Sequence, residues 1–102
     1  DHLNFNEVLT ELKTKNAAGL PVLLKSPNPY FIESICDCYQ RVCYGDGSGE
    51  GQTLLKNHAP YLLIQTDWKE FSANSEKYPD LSRCTTINQE NRTSFKVFLC
   101  NP

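Results

Sequence analysis

The sequence has no methionine, only one tryptophan, and no excess of positive charge. Ten Lys and Arg against twelve Asp and Glu give a formal net charge of -2, so no basic field exists to neutralise phosphates or hold an anionic bilayer, and nucleic acid is excluded as a natural partner. Long apolar runs are also missing. The longest, Tyr61–Ile64 and Val97–Cys100, fall far short of the roughly 20 residues that span a membrane, which predicts no membrane span. No basic-then-apolar leader opens the chain at Asp1, so any signal peptide is expected to have been removed already. Hydrophobic residues make up 39% and charged ones 22%, a composition lean for a globular domain but outside the disordered range. At 102 residues the chain is expected to form one compact domain, 1–102, with a modest core.

Cysteine is plentiful: five in 102 residues. Thiols at that density in a small chain point to an oxidising compartment, hence to a secreted, extracellular protein stapled by disulfide bonds. Asn91-Arg92-Thr93 is an N-glycosylation sequon in a polar stretch, which marks Asn91 as a glycan site and the protein as a glycoprotein.

Phe5, Val8, Leu9 and Leu12 recur at helical spacing within Asn4 to Lys15, with acids early and lysines late, and predict an amphipathic helix. Asn4 serves as its N-cap with Glu7 three residues on, and Gly19 stops it before Pro21. Leu20 to Ser26 reads as a short strand closed by Pro27-Asn28-Pro29. The β-formers from Ile32 to Tyr44 predict a long strand; Ile32, Ile35, Tyr39 and Val42 also fit a helical stripe, the rival reading. Gly45 to Gly51 holds four of the five glycines and reads as a flexible loop. Thr53 to Lys56 reads as a short extended piece, Pro60 to Asp67 as a buried strand, Ser72 to Ser82 as loop, and Thr93 to Cys100 as a closing strand. One helix followed by about four strands predicts an α+β fold, the N-terminal helix packed on an antiparallel sheet, since parallel strands would need further crossover helices.

Cys36, Cys38 and Cys43 form a C-x-C-x4-C cluster, with Cys84 and Cys100 far downstream. On a strand, Cys36 and Cys38 share a face, so bridges from these two to Cys84 and Cys100 are expected. Five thiols allow 5 × 3 = 15 ways of making two bridges, and one sulfur is always left over. Cys43, beside the glycine loop, is the candidate for a free thiol or an intermolecular bond in a disulfide-linked dimer. Zinc held by Cys36, Cys38, Cys43 and Cys84 is the competing reading; the second pair of ligands lacks the compact knuckle that zinc modules show, and no metal or other cofactor is expected. A thiolate enzyme would need His58 beside Cys43 or Cys84, with a third group to orient it, and no local signature surrounds them, so the chain reads as non-enzymatic with no catalytic residue. Asp46 and Glu50 in the glycine loop lack the alternating order of a calcium loop.

Aromatics supply the remaining lead, because Trp and Tyr dominate binding hot spots. Trp68, Tyr44 and Tyr61, with Asp46, Gly47 and Gly49 of the loop, are the candidate partner-binding residues, and the expected function is a secreted module that engages an extracellular protein partner. The order of helix, strands and late cysteines resembles cystatin-type protease inhibitors in outline, with Gln52-Thr53-Leu54-Leu55-Lys56 standing where that family carries Gln-x-Val-x-Gly. The first helix followed by Leu20-Pro21-Val22-Leu23-Leu24-Lys25-Ser26 is similar to the start of secreted lipocalins of blood-feeding arthropods, over about a quarter of the chain. The two resemblances imply, respectively, a cysteine-protease inhibitor and a carrier of a small apolar ligand.

Overall fold

The structure is a computed structural model that describes residues 5–57, 59–66, 83–87 and 95–101. Within these residues three helices and five strands follow in the order α1 (Phe5–Lys15), β1 (Val22–Lys25), α2 (Pro29–Tyr39), β2 (Cys43–Gly45), α3 (Gly49–Lys56), β3 (Tyr61–Thr66), β4 (Cys84–Thr86) and β5 (Phe95–Cys100). The predicted α+β character is therefore present, and the helix at residues 5–15 and the strands at Val22, Tyr61 and Phe95 fall within their expected segments. The N-cap expected at Asn4 and the loop expected at Ser72 to Ser82 lie outside the described residues.

The sheet is mixed and five-stranded, in the order β2-β1-β3-β5-β4, which corrects the antiparallel sheet of about four strands. β1 pairs in parallel with both β2 and β3, whereas β5 runs antiparallel to β3 and β4. The missing crossovers are α2 and α3, both concealed in the sequence. Residues 32–39, expected as strand, are helical because Asn28 caps a helix there: its Oδ1 accepts from Tyr30 N at 3.0 Å and Phe31 N at 3.4 Å, with Pro29 in the first turn. Proline suits that position because its missing N–H would have no helical partner. Gln40 ends the helix in the left-handed region at φ 58°, which frees Cys43–Gly45 to form a short strand.

α3 occupies Thr53 to Lys56, expected as extended, together with the second half of the glycine segment. Ser48 is its N-cap, with Oγ accepting from Gly51 N at 2.9 Å and donating to Gly45 O at 2.8 Å. Gly51 is required for a packing reason. A Cβ there would run into the Gly45 carbonyl and sit 3.0 Å from Leu23 Cδ1, so only glycine lets α3 lie this close to the end of β2.

Alternation along the strands sends side chains to two faces. On one, Val8 and Leu12 of α1 and Ile35 and Tyr39 of α2 pack with Val22, Leu24, Leu62, Ile64, Phe95 and Val97. Phe5 meets Phe31 edge-on with ring centroids 6.4 Å apart. On the other, Leu54 of α3 packs with Leu23, Leu63, Phe98 and Cys100. Ile35 is fully buried, worth about 2 kcal/mol of apolar transfer, and that burial is available to it only as a helical residue facing β1. Among the described residues the sheet has its edges at β2 and β4, whereas lipocalins close theirs into an antiparallel barrel.

Candidate functional site

The disulfides follow from the helix that replaced the expected strand. Residues 36 and 38 stand about 200° apart around a helix, so their side chains diverge. Cys36 faces β2 and bonds to Cys43, while Cys38 is exposed and unpaired. This corrects two assignments: Cys43 is not the odd thiol, and Cys38 is in no bridge. Cys84 and Cys100 bond to each other across a register pair of β4 and β5. Both loops are local, with separations of 7 and 16 residues, so no bridge ties the middle of the chain to its end. Three of the four sulfurs weighed as zinc thiolates are thus in disulfides. No described helix is long and apolar enough to cross a membrane.

Among the described residues β2 is an edge strand, and its backbone polarity can be read directly. Val22 N donates to Val42 O at 2.9 Å, and Asp46 N donates to Leu24 O at 3.0 Å. In a parallel ladder alternate residues point their polar groups to the same side, so Val42, Tyr44 and Asp46 address β1 while Cys43 and Gly45 turn outward. The Gly45 carbonyl is occupied by Ser48 N at 3.2 Å and Ser48 Oγ. Cys43 N–H, Cys43 C=O and Gly45 N–H are left along the sheet margin with no hydrogen bond among the described residues.

Beside that margin runs an open groove of about 530 Å³ between β2 and α3, lined by Tyr44, Gly49, Glu50, Thr53, Leu54 and Asn57. Its floor is apolar, with Leu54 buried and the half-buried Tyr44 packed on the same cluster. Glu50 is the one charged residue among the described residues of the lining. The turn that joins strand to helix is held by Gln52 Nε2, which donates to Asp46 O at 2.6 Å.

Of the residues singled out in the sequence, Tyr44 and Gly49 meet in this groove, and Asp46 and Gly47 form the turn at its end. Tyr61 begins β3 and packs half-buried on the same satellite cluster as Tyr44, Leu55 and Cys84; burial pushes its phenol pKa up. Trp68, His58 and the sequon residue Asn91 lie outside the described residues. Beyond Gly49, the α3 side of the groove is not marked as partner-binding in the sequence: Glu50 enters only as a rejected calcium ligand, and Thr53, Leu54 and the C-cap Asn57 do not enter as binding residues. The signal for α3 was present in Ser48, a cap residue three positions before Gly51, but glycines at 49 and 51 masked the helix that Ser48 starts. Comparison with known protein families, with characterised proteins and with solved structures finds no match.

Proposed function

We propose that this chain is an extracellular, non-enzymatic binding module that takes an extended segment of a partner protein as an added strand along β2, with one of the segment's side chains seated in the groove between Tyr44 and α3. The observation that carries this reading is the margin at Cys43 and Gly45, unpaired among the described residues, lying directly beside an apolar-floored groove. Main-chain hydrogen bonds to an open edge supply affinity, and a side-chain pocket next to the edge supplies selectivity. Glu50 on the groove wall favours a segment that carries Lys or Arg at the seated position. The Cys36–Cys43 disulfide supports the same use, since it anchors the short edge strand to α2. Cys38, exposed at the end of α2, is the sulfur through which a covalently linked pair of chains would form.

The test is selection of peptides from a random extended library on the immobilised protein, followed by titration against two variants of exposed groove residues, Thr53→Arg and Glu50→Lys. Selected peptides should share a basic residue flanked by β-formers, and each variant should weaken them about tenfold or more, the scale of one lost charge-assisted contact. Peptides that bind both variants as tightly as the wild type would remove the groove from the account.

A further inference from the structure

The face of the sheet that carries α3 changes character at one end. In the row formed by register partners Tyr44, Leu23, Leu63 and Phe98 every side chain is apolar or aromatic. Two residues further along β1 and β3 the corresponding row is Lys25, Gln65 and Lys96, paired in register across β1, β3 and β5. Alternation places these three on the same face as Leu23, Leu63 and Phe98. Lys25 is 3% and Gln65 2% exposed. The Gln65 Oε1 accepts no hydrogen bond among the described residues. An amide oxygen buried without a donor is destabilising, so its presence in a core row needs a reason beyond packing.

Topology supplies one. From β1 the chain passes through α2 to β2 on one side, then returns through α3 to β3 on the other. α2 packs on one face and α3 on the opposite one, so β1 and β3 flank a switch point, and their carboxyl ends are Lys25 and Thr66. In open sheets with parallel strands, ligands bind in the crevice outside the carboxyl ends at such a point. Thr66 Oγ1 contacts Lys25 O at 3.5 Å and ties the two strand ends together there.

We infer that Lys25, Gln65 and Lys96 form the floor of a second binding site, one for a small phosphate monoester that carries a hydroxyl group. Gln65 Oε1 accepts from the ligand hydroxyl. The two lysines, each of which has a further interaction in the structure, set a positive potential for the phosphate. Adjacent strands lie about 4.8 Å apart, so the two lysine positions flank Gln65 at a spacing their side chains can close around one phosphate. The site is separate from the β2 edge and does not depend on it.

Calorimetric titration of the intact, oxidised protein with glycerol 3-phosphate, inorganic phosphate and glycerol, at matched ionic strength, tests the assignment. Glycerol 3-phosphate should bind saturably, inorganic phosphate about tenfold more weakly for want of the Gln65 hydrogen bond, and glycerol not measurably. Gln65→Leu should weaken glycerol 3-phosphate about tenfold and leave inorganic phosphate unchanged; Lys96→Gln, at a half-buried position tolerant of the change, should weaken both. Absence of saturable binding of glycerol 3-phosphate at millimolar concentration overturns the site, as does wild-type affinity in Lys96→Gln, whether or not Gln65→Leu folds.

Discussion

Removing the side chain of Asn16 should destabilise this protein more than removing any other polar side chain of the described residues outside a disulfide. Asn16 follows the last turn of α1 and is 2% exposed. Its Nδ2 donates to Leu20 O at 2.8 Å and to the Tyr39 hydroxyl at 2.6 Å, and its Oδ1 accepts from Leu20 N at 2.8 Å. One amide thus closes the turn into β1 and joins α1 to the end of α2. At about 1 kcal/mol net for each bond, Asn16→Ala should cost about 3 kcal/mol. Tyr39→Phe removes one of the three and should cost about 1 kcal/mol, and the double variant should cost about 1 kcal/mol less than the sum of the singles. Urea unfolding followed by far-ultraviolet circular dichroism, with disulfides intact, measures all three; with a slope of about 1 to 1.5 kcal/mol/M, the Asn16→Ala midpoint should fall by about 2 to 3 M. A loss below about 0.5 kcal/mol for Asn16→Ala, or full additivity with Tyr39→Phe, would refute the reasoning.

Paired replacement of Cys84 and Cys100 by Ser should cost about 3 kcal/mol, and of Cys36 and Cys43 about 2 kcal/mol, following their 16- and 7-residue separations; denaturation of the two double variants checks the order. Peptide mapping under non-reducing conditions should find Cys38 as the alkylatable thiol, and labelling it should leave the circular dichroism spectrum unchanged. Burial raises the Tyr61 phenol above its ordinary value near 10, so the folded state favours the neutral form. Its contribution is fully present below about pH 10 and is lost as pH rises through the raised folded value; Tyr61→Phe should flatten that alkaline fall. Gly51→Ala should lower the melting temperature despite the better helix propensity of Ala, because the added methyl meets the Gly45 carbonyl.

The parts of the fold legible in the sequence were those where local propensity and tertiary role agree. Phe5, Val8, Leu9 and Leu12 mark α1, and the alternation of Phe95 and Val97 against Lys96 and Phe98 marks β5. The parallel half was hidden because its helices use the wrong residues for their state. α2 carries Tyr30, Phe31, Ile32, Ile35 and Tyr39, β-formers whose helical placement is decided by the Asn28 cap and by burial against β1. α3 begins with glycines that read as a loop but are tolerated where close packing on β2 demands them. The cysteine pairing depends on the state of α2: strand geometry puts Cys36 and Cys38 together, whereas helix geometry sends one to Cys43 and the other to solvent. For the site, Tyr44 and Gly49 were visible by residue type, and the α3 wall was not.

The central claim, that β2 is an acceptor for an added strand, is tested most directly by amide hydrogen exchange at Cys43 and Gly45 with and without a library-selected peptide. Their N–H groups face away from β1, so both should exchange rapidly in the free protein and slow by at least about tenfold at saturation, while Tyr44 N–H, already directed at β1, changes little. Saturating peptide that leaves Cys43 and Gly45 exchanging at their free rates would contradict the claim.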